Sequence, residues 1–366
     1  MNFPRLPFLV KKEILDHLPI DTIFFFSLCS KKVKNFIIHA QKKQFEEVER
    51  VAYRMSTAVI AVYFEMHASR NTGIKLINPE VNTWSNNESD FIEEFRVDEL
   101  GVPIVFSRSS TNRSKLQGKY CSSNANPTLE AVHKHLFDLL GHHTKFRFNS
   151  HFYGEPASLP MLQNIEMLYM YGDYDSTRVD EFLSMSTCLK YFSWYTSSIE
   201  SKLREDSKIY ELDSICLSSK RSSLEPDVLK YFNGRHAFMD GRTIPETDVI
   251  QFLNAWKSGE KFRSLEFISI RSCSHIETIQ ESVELKKVST KVEYRIKKKF
   301  REGEYCFSSP SAFESNLYMV RESDGHVASV SVAGFMVYMG VWNMTETEFL
   351  DKYQCTASTI DNRLDL

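Results

Sequence analysis

Long apolar runs are what this 366-residue chain most clearly lacks. Ile23 to Leu28 is strongly apolar, but it is short and follows Lys11, Lys12, Glu13, Asp16 and Asp21. The stretch from Phe335 to Trp342 is shorter than half the ~20 residues a membrane helix needs. Neither reads as a signal peptide or a span, so the expectation is a soluble protein of the cytoplasm, the nucleus or both. The seven cysteines (Cys29, Cys121, Cys188, Cys216, Cys273, Cys306 and Cys355) never fall in a CxxC spacing. Their scatter and odd number argue against a zinc ribbon or a secreted disulfide framework, and predict reduced, mostly buried thiols. Formal net charge is only −3, which gives no electrostatic reason to expect nucleic acid or an anionic membrane as partner.

Catalytic patterns are missing too. There is no GxSxG, HExxH, GxxxxGK[ST] or GxGxxG. Cys121 and Cys355 sit in no nucleophile motif, and a buried inert thiol is the default for such residues. The histidines His133, His135, His142, His143 and His151 cluster in sequence, with the first two spaced HxH. Two residues turn a helix through about 200°, so that pair points to opposite sides and makes a poor metal site. Surface or helix-end histidines are expected, with no metal and no cofactor. The basic run from Arg295 to Arg301 is flanked by Glu293, Glu302 and Glu304, which favours a solvated strand or loop over a phosphate site.

What is present begins at the N-terminus. Val10, Ile14 and Leu18 fall four apart with Leu15 beside them, an apolar stripe opposite Lys11, Lys12, Glu13 and Asp16. Pro19 starts a second helix that is apolar almost all round: Ile20, Ile23, Phe24, Phe25, Phe26 and Leu28. Ser30 is a natural N-cap for a third, which places Val33, Phe36 and Ile37 on one face. Three such helices have too small a core to stand comfortably alone. They predict either a cap on the rest of the chain or a module with apolar surface left for a partner.

Leu6-Pro7, Ile14-Leu15, Leu18-Pro19 and Leu28-Cys29-Ser30-Lys31 together resemble the F-box pattern, in order and at family spacing, over residues 3 to about 45. The chain departs from many F-boxes at Val33, where they carry Trp. The resemblance implies a non-catalytic subunit of an SCF-type ubiquitin ligase. Leu6, Pro7, Ile14, Leu15, Leu18, Pro19, Leu28 and Cys29 would then meet the Skp-type adaptor, which links to cullin and RING subunits. The remainder would hold a target protein. A repeat-type interaction scaffold without ligase function is the competing reading.

Downstream, residues 46 to 66 alternate in near strand fashion, with Val51, Tyr53, Met55, Thr57 and Val59 on one face of a single strand. Residues 67 to 125 predict short strands and irregular loops. Asn126-Pro127 opens a helix that Gly141 ends. Strand-like cores then centre on Phe146, Leu168, Tyr191, Ile215, Phe238 and Ile268, at spacings of about 22, 23, 24, 23 and 30 residues, inside the leucine-rich-repeat window. Helices fit at Arg178 to Met185, Pro226 to Phe232 and Pro245 to Trp256.

The fold class expected is therefore α+β: an N-terminal three-helix F-box, then a degenerate leucine-rich-repeat-like strand-helix solenoid, with β-rich portions on either side of it. The divisions are 1–45, 46–126, 127–282, 283–354 and a loose tail at 355–366. Alternation along the repeat strands points Lys190, Asp213 and Glu266 toward a target. Leu317 to Arg321, Asp324-Gly325 and Val327 to Val332 form a hairpin signal, with Phe335 to Trp342 as the next strand. Finally, two stretches resemble the F-box-associated region of the expanded nematode F-box families: about 211–272, through Trp256, Gly259 and Leu265-Glu266, and the later LYMVRESDGHVASV…VW stretch, through Arg321, Asp324-Gly325 and Trp342. In those families this region is presumed to recognise targets.

Overall fold

A computed structural model describes residues 3–66, 72–77, 91–97, 104–109, 116–119, 125–151, 159–196, 203–219, 224–272, 277–296 and 311–360. The first helices follow the proline punctuation: α1 (Phe8–Asp16) starts after Pro7 and α2 (Ile20–Ser27) after Pro19. In α3 (Lys31–Ala40), the Ser30 hydroxyl accepts from the Val33 N–H at 3.3 Å, as its N-cap position requires. A short fourth helix, α4 (Lys42–Glu46), leads into β1 (Val48–Ser56).

The single strand expected over residues 46 to 66 is in fact a hairpin of β1 and β2 (Val59–Met66). The chain reverses at Thr57-Ala58, where Ser56 Oγ accepts from the Val59 N–H at 3.1 Å. Further strands are β3 (Thr72–Ile77), β4 (Phe91–Val97), β5 (Ile104–Ser109) and β6 (Leu116–Lys119). Next come α5 (Ala125–Leu140), β7 (Lys145–His151) and β8 (Ile165–Tyr171). Gly141, at φ 88°, ends α5 in the left-handed conformation glycine favours.

The chain divides into two compact units, residues 1–171 with 185–189, and residues 172–184 with 190–366. In the first, the strand order is β8-β7-β1-β2-β3-β6-β5-β4. β1, β7 and β8 run parallel, while β1 to β3 form an antiparallel meander. Helix α5 buries Leu129, Val132, Leu136 and Leu139, and Tyr53 of β1 stacks on Phe146 of β7.

The second unit holds most of α6 (Ser176–Met185), then β9 (Tyr191–Thr196), β10 (Ser214–Ser219), α7 (Leu224–Tyr231), β11 (His236–Ile244), α8 (Glu246–Ser258) and β12 (Phe267–Ser272). It ends with α9 (Glu277–Ser282), β13 (Lys286–Arg295), β14 (Ala312–Val320), β15 (His326–Ala333), β16 (Met336–Thr345) and α10 (Glu346–Ile360). Strands β9 to β12 are parallel neighbours, and β12 then pairs antiparallel with β16. From there the order runs β16-β15-β14-β13, all antiparallel. All six strand centres read from the sequence fall inside β7 to β12. The connections are unequal, however: α7 and α8 link β10 to β11 and β11 to β12, whereas only a 3-10 turn at Lys208–Glu211 is described just before β10.

Two local expectations change here. The chain reverses between β14 and β15 through a five-residue connection, in which the Gly325 N–H reaches the Arg321 carbonyl at 2.8 Å. The tighter two-residue reversal is Gly334-Phe335, between β15 and β16. Helix α10 also runs to Ile360, into the stretch where a loose tail is expected. At the other edge of the unit, β13 shifts register between Lys287 and Val292 and leaves Lys286, Lys287 and Lys291 exposed. Arg295 ends that strand paired with Glu293 at 3.0 Å; the basic residues 297–301 lie outside the described residues.

Candidate docking surface

The N-terminal helices have two differently treated sides. Inside, Leu15, Ile20, Ile23, Phe24, Leu28, Val33 and Ile37 are buried. These residues assemble α1 to α3 and rest them on α5 of the same unit. Outside, Phe8, Leu9 and Val10 are 56%, 76% and 45% exposed, half of the six large exposed hydrophobics among the described residues. Consecutive apolar residues left in water on one turn form a patch that needs an explanation.

Aromatic packing fixes that turn. Phe36 of α3 receives Phe8 edge-on at 5.5 Å and Phe3 at 6.3 Å, with Lys11 Nζ 4.7 Å from its ring centroid. Phe3 also meets Phe26 at 5.7 Å. One edge of the Phe8 ring is thus anchored, and Leu9 projects beyond it.

Of the residues the sequence singled out, Pro7, Pro19 and Cys29 are exposed, and Leu6, Ile14 and Leu18 are half-buried. Leu15 and Leu28 are buried in the chain's own core and build the surface from behind. The apolar stripe on α1 therefore divides, with Leu15 inside and Val10 outside. Although Cys29 is exposed, the neighbouring protein around its sulfur desolvates the thiolate and pushes its pKa up from the ordinary thiol value. Asp16 is held below the usual carboxylate range by its bonds from Lys12 at 2.6 Å and Gln41 at 2.7 Å.

Residues 3–44 match the F-box domain family. F-box domains bind Skp-type adaptors in SCF complexes, and F-box proteins are generally non-catalytic. No curated protein matches the chain, and no solved structure does. In the F-box segment, Val33 is buried on α3 and contributes to the inner side.

Elsewhere the candidate residues disperse. His133 and His135 are buried on α5, contrary to the surface positions expected; His142 and His143 are exposed and His151 is half-buried. Among the described residues no group of three His, Cys, Asp or Glu is arranged to hold a metal ion. Of the three cysteines whose side chains are described, Cys216 is buried, whereas Cys29 and Cys188 are exposed and depart from the interior positions expected. Lys190, Asp213 and Glu266 each stand one residue before a strand (β9, β10 and β12) and not along it. Glu266 is engaged with Arg235 at 2.8 Å.

Proposed function

We propose that this chain is a substrate-recognition subunit of an SCF-type ubiquitin ligase, docking a Skp-type adaptor through its F-box and holding a target protein through the remainder. The observation that carries the reading is the exposed apolar run Phe8-Leu9-Val10 on a segment that matches the F-box family. Burying those three side chains would contribute several kcal/mol, at about 1.5–3 kcal/mol each for full burial. Leu6, Pro7, Ile14, Leu18 and Pro19 rim the contact. Cullin and RING subunits would then join through the adaptor, in cytoplasm, nucleus or both. The chain supplies no reacting group of its own; it contributes proximity and orientation between target and charged ubiquitin carrier.

The parallel strands β9 to β12, with α7 and α8 between them, support reading residues 127–282 as a degenerate leucine-rich-repeat-like region. Within it, about 211–272 resembles the nematode F-box-associated region. The segments 1–45, 46–126, 127–282 and 283–354 are proposed as its divisions, with target contact in the C-terminal ones.

The deciding experiment mixes the purified full chain with a purified Skp-type adaptor and measures complex formation by size-exclusion chromatography with light scattering. A 1:1 complex that is lost in Leu9→Asp, with the melting temperature unchanged, supports docking at this patch. No complex with the unaltered chain would favour a repeat-type scaffold, in which α1 to α4 serve only as a cap. The packing of α2 and α3 on α5 is the feature that favours that second reading.

A further inference from the structure

The HxH pair on α5 remains unused by the docking surface, and the structure gives it a different place. His135 Nε2 lies 2.7 Å from Ser27 Oγ on α2, and Ser27 Oγ lies 2.6 Å from the Phe24 carbonyl. A hydroxyl has one proton, and a carbonyl only accepts. Ser27 therefore donates to Phe24 and accepts from the Nε2–H of a neutral His135. Ser27 is fully buried, and the His135 ring also meets Phe24 edge-on at 5.6 Å. Two residues earlier, His133 Nδ1 lies 3.0 Å from the Tyr53 hydroxyl of β1, and its ring packs edge-on against Phe146 of β7 at 4.7 Å. The 200° between the two positions, which makes them a poor metal site, lets one reach the helices and the other the sheet.

We propose that His135 and His133 form a two-sided polar strut through α5, which holds the adaptor-docking helices in a fixed orientation on the sheet of the first unit. At the rim of the junction, Lys34 of α3 pairs with Asp138 of α5 at 3.0 Å. Apolar contacts alone tolerate sliding, whereas a buried hydrogen bond fixes register because misalignment leaves both partners unsatisfied. These two histidines are positioning residues. The docking role of α1 comes from the function proposed above, but the strut itself is a property of the free chain.

Hydrogen exchange read by mass spectrometry on the full chain alone, without adaptor, tests it. In His135→Ala, amides of residues 20–40 exchange roughly tenfold faster, while β1 and β7 keep their protection. His135→Gln, whose amide nitrogen can stand near the Nε2 position and donate, restores protection. Unchanged exchange at 20–40, or acceleration shared equally by β1 and β7, overturns the strut and leaves an ordinary core histidine. If His135→Ala does not fold, Ser27→Ala removes the same acceptor at little cost in volume and must show the same local pattern. An adaptor that fails to bind would end the docking reading and leave this measurement untouched.

Discussion

The Arg321 guanidinium lies 5.2 Å from the ring centroid of Trp256, and the same group bonds both carboxylate oxygens of Asp324 at 2.9 and 2.8 Å. A third bond, 3.2 Å to the Arg263 carbonyl, fastens the β14–β15 connection to the segment that follows α8. Arg321 is 4% exposed, so its charge is tolerable there only because every side of it is engaged. Asp324-Gly325 thus does more than turn the chain.

Removing the counter-charge strands the guanidinium. Asp324→Asn should destabilise the chain by about 1–3 kcal/mol, as a lowered urea midpoint at neutral pH. The Asp324 carboxyl is held down at about 2 by the Arg321 bonds. Its contribution is therefore present above the ordinary carboxylate range and lost as pH falls toward 2. The unaltered chain should lose stability across that acid window by a margin that Asp324→Asn lacks.

The buried histidines set a second, milder window. Desolvation lowers both His133 and His135 from 6.5 to about 4. A depressed folded value means full stability above 6.5 and progressive loss as pH falls toward 4, because the unfolded chain takes up the protons first. By pH 5 the loss should approach about 2 kcal/mol for each histidine. Urea titrations at pH 7.5 and 5.0 check this, and His135→Gln should remove about half of the difference.

Two leucines six residues apart separate surface from scaffold. Leu15→Ala should cost about 2–5 kcal/mol of stability, since a fully buried side chain leaves a cavity. Leu9→Asp should leave thermal unfolding unchanged within roughly 0.5 kcal/mol, because the residue already stands in water. Differential scanning calorimetry of both variants makes the comparison.

A fourth expectation concerns Gly340 on β16. A Cβ there would stand 2.5–2.6 Å from three ring atoms of Tyr294. Tyr294 is itself tied by its hydroxyl to the Glu266 carbonyl at 2.8 Å and cannot easily retreat. Gly340→Ala should therefore cost about 1–3 kcal/mol, and pairing it with Tyr294→Leu should recover part of the loss in a double-mutant cycle.

Punctuation made much of this legible in advance. Pro19, Ser30 and Gly141 act through their own local chemistry, so the helix limits they announce need no tertiary knowledge. The strand centres from Phe146 to Ile268 were readable for a similar reason, since β-branched and aromatic clusters recur between turns. The reversal at Thr57-Ala58 was not, because it uses no Gly, Pro, Asn or Asp and depends on the Ser56 hydroxyl. The docking patch was only half readable. Val10 and Leu15 are both apolar and lie about 140° apart around α1, and only the position of α5 and Phe36 decides which one faces inward. His133 and His135 were hidden for the same reason: nothing local to an HxH says that Tyr53 and Ser27 wait on either side.

Strand β13 bears on how a free copy of this chain behaves. With Lys286, Lys287 and Lys291 exposed and its register broken midway, it offers a second copy a poor template for strand-on-strand growth. The weak point for self-adhesion then moves to the other end of the sequence, to Phe8, Leu9 and Val10. Under the function proposed above, solubility becomes a matter of stoichiometry: a copy made in excess of the adaptor carries an uncovered greasy turn, the kind of feature by which cellular quality control identifies orphan subunits.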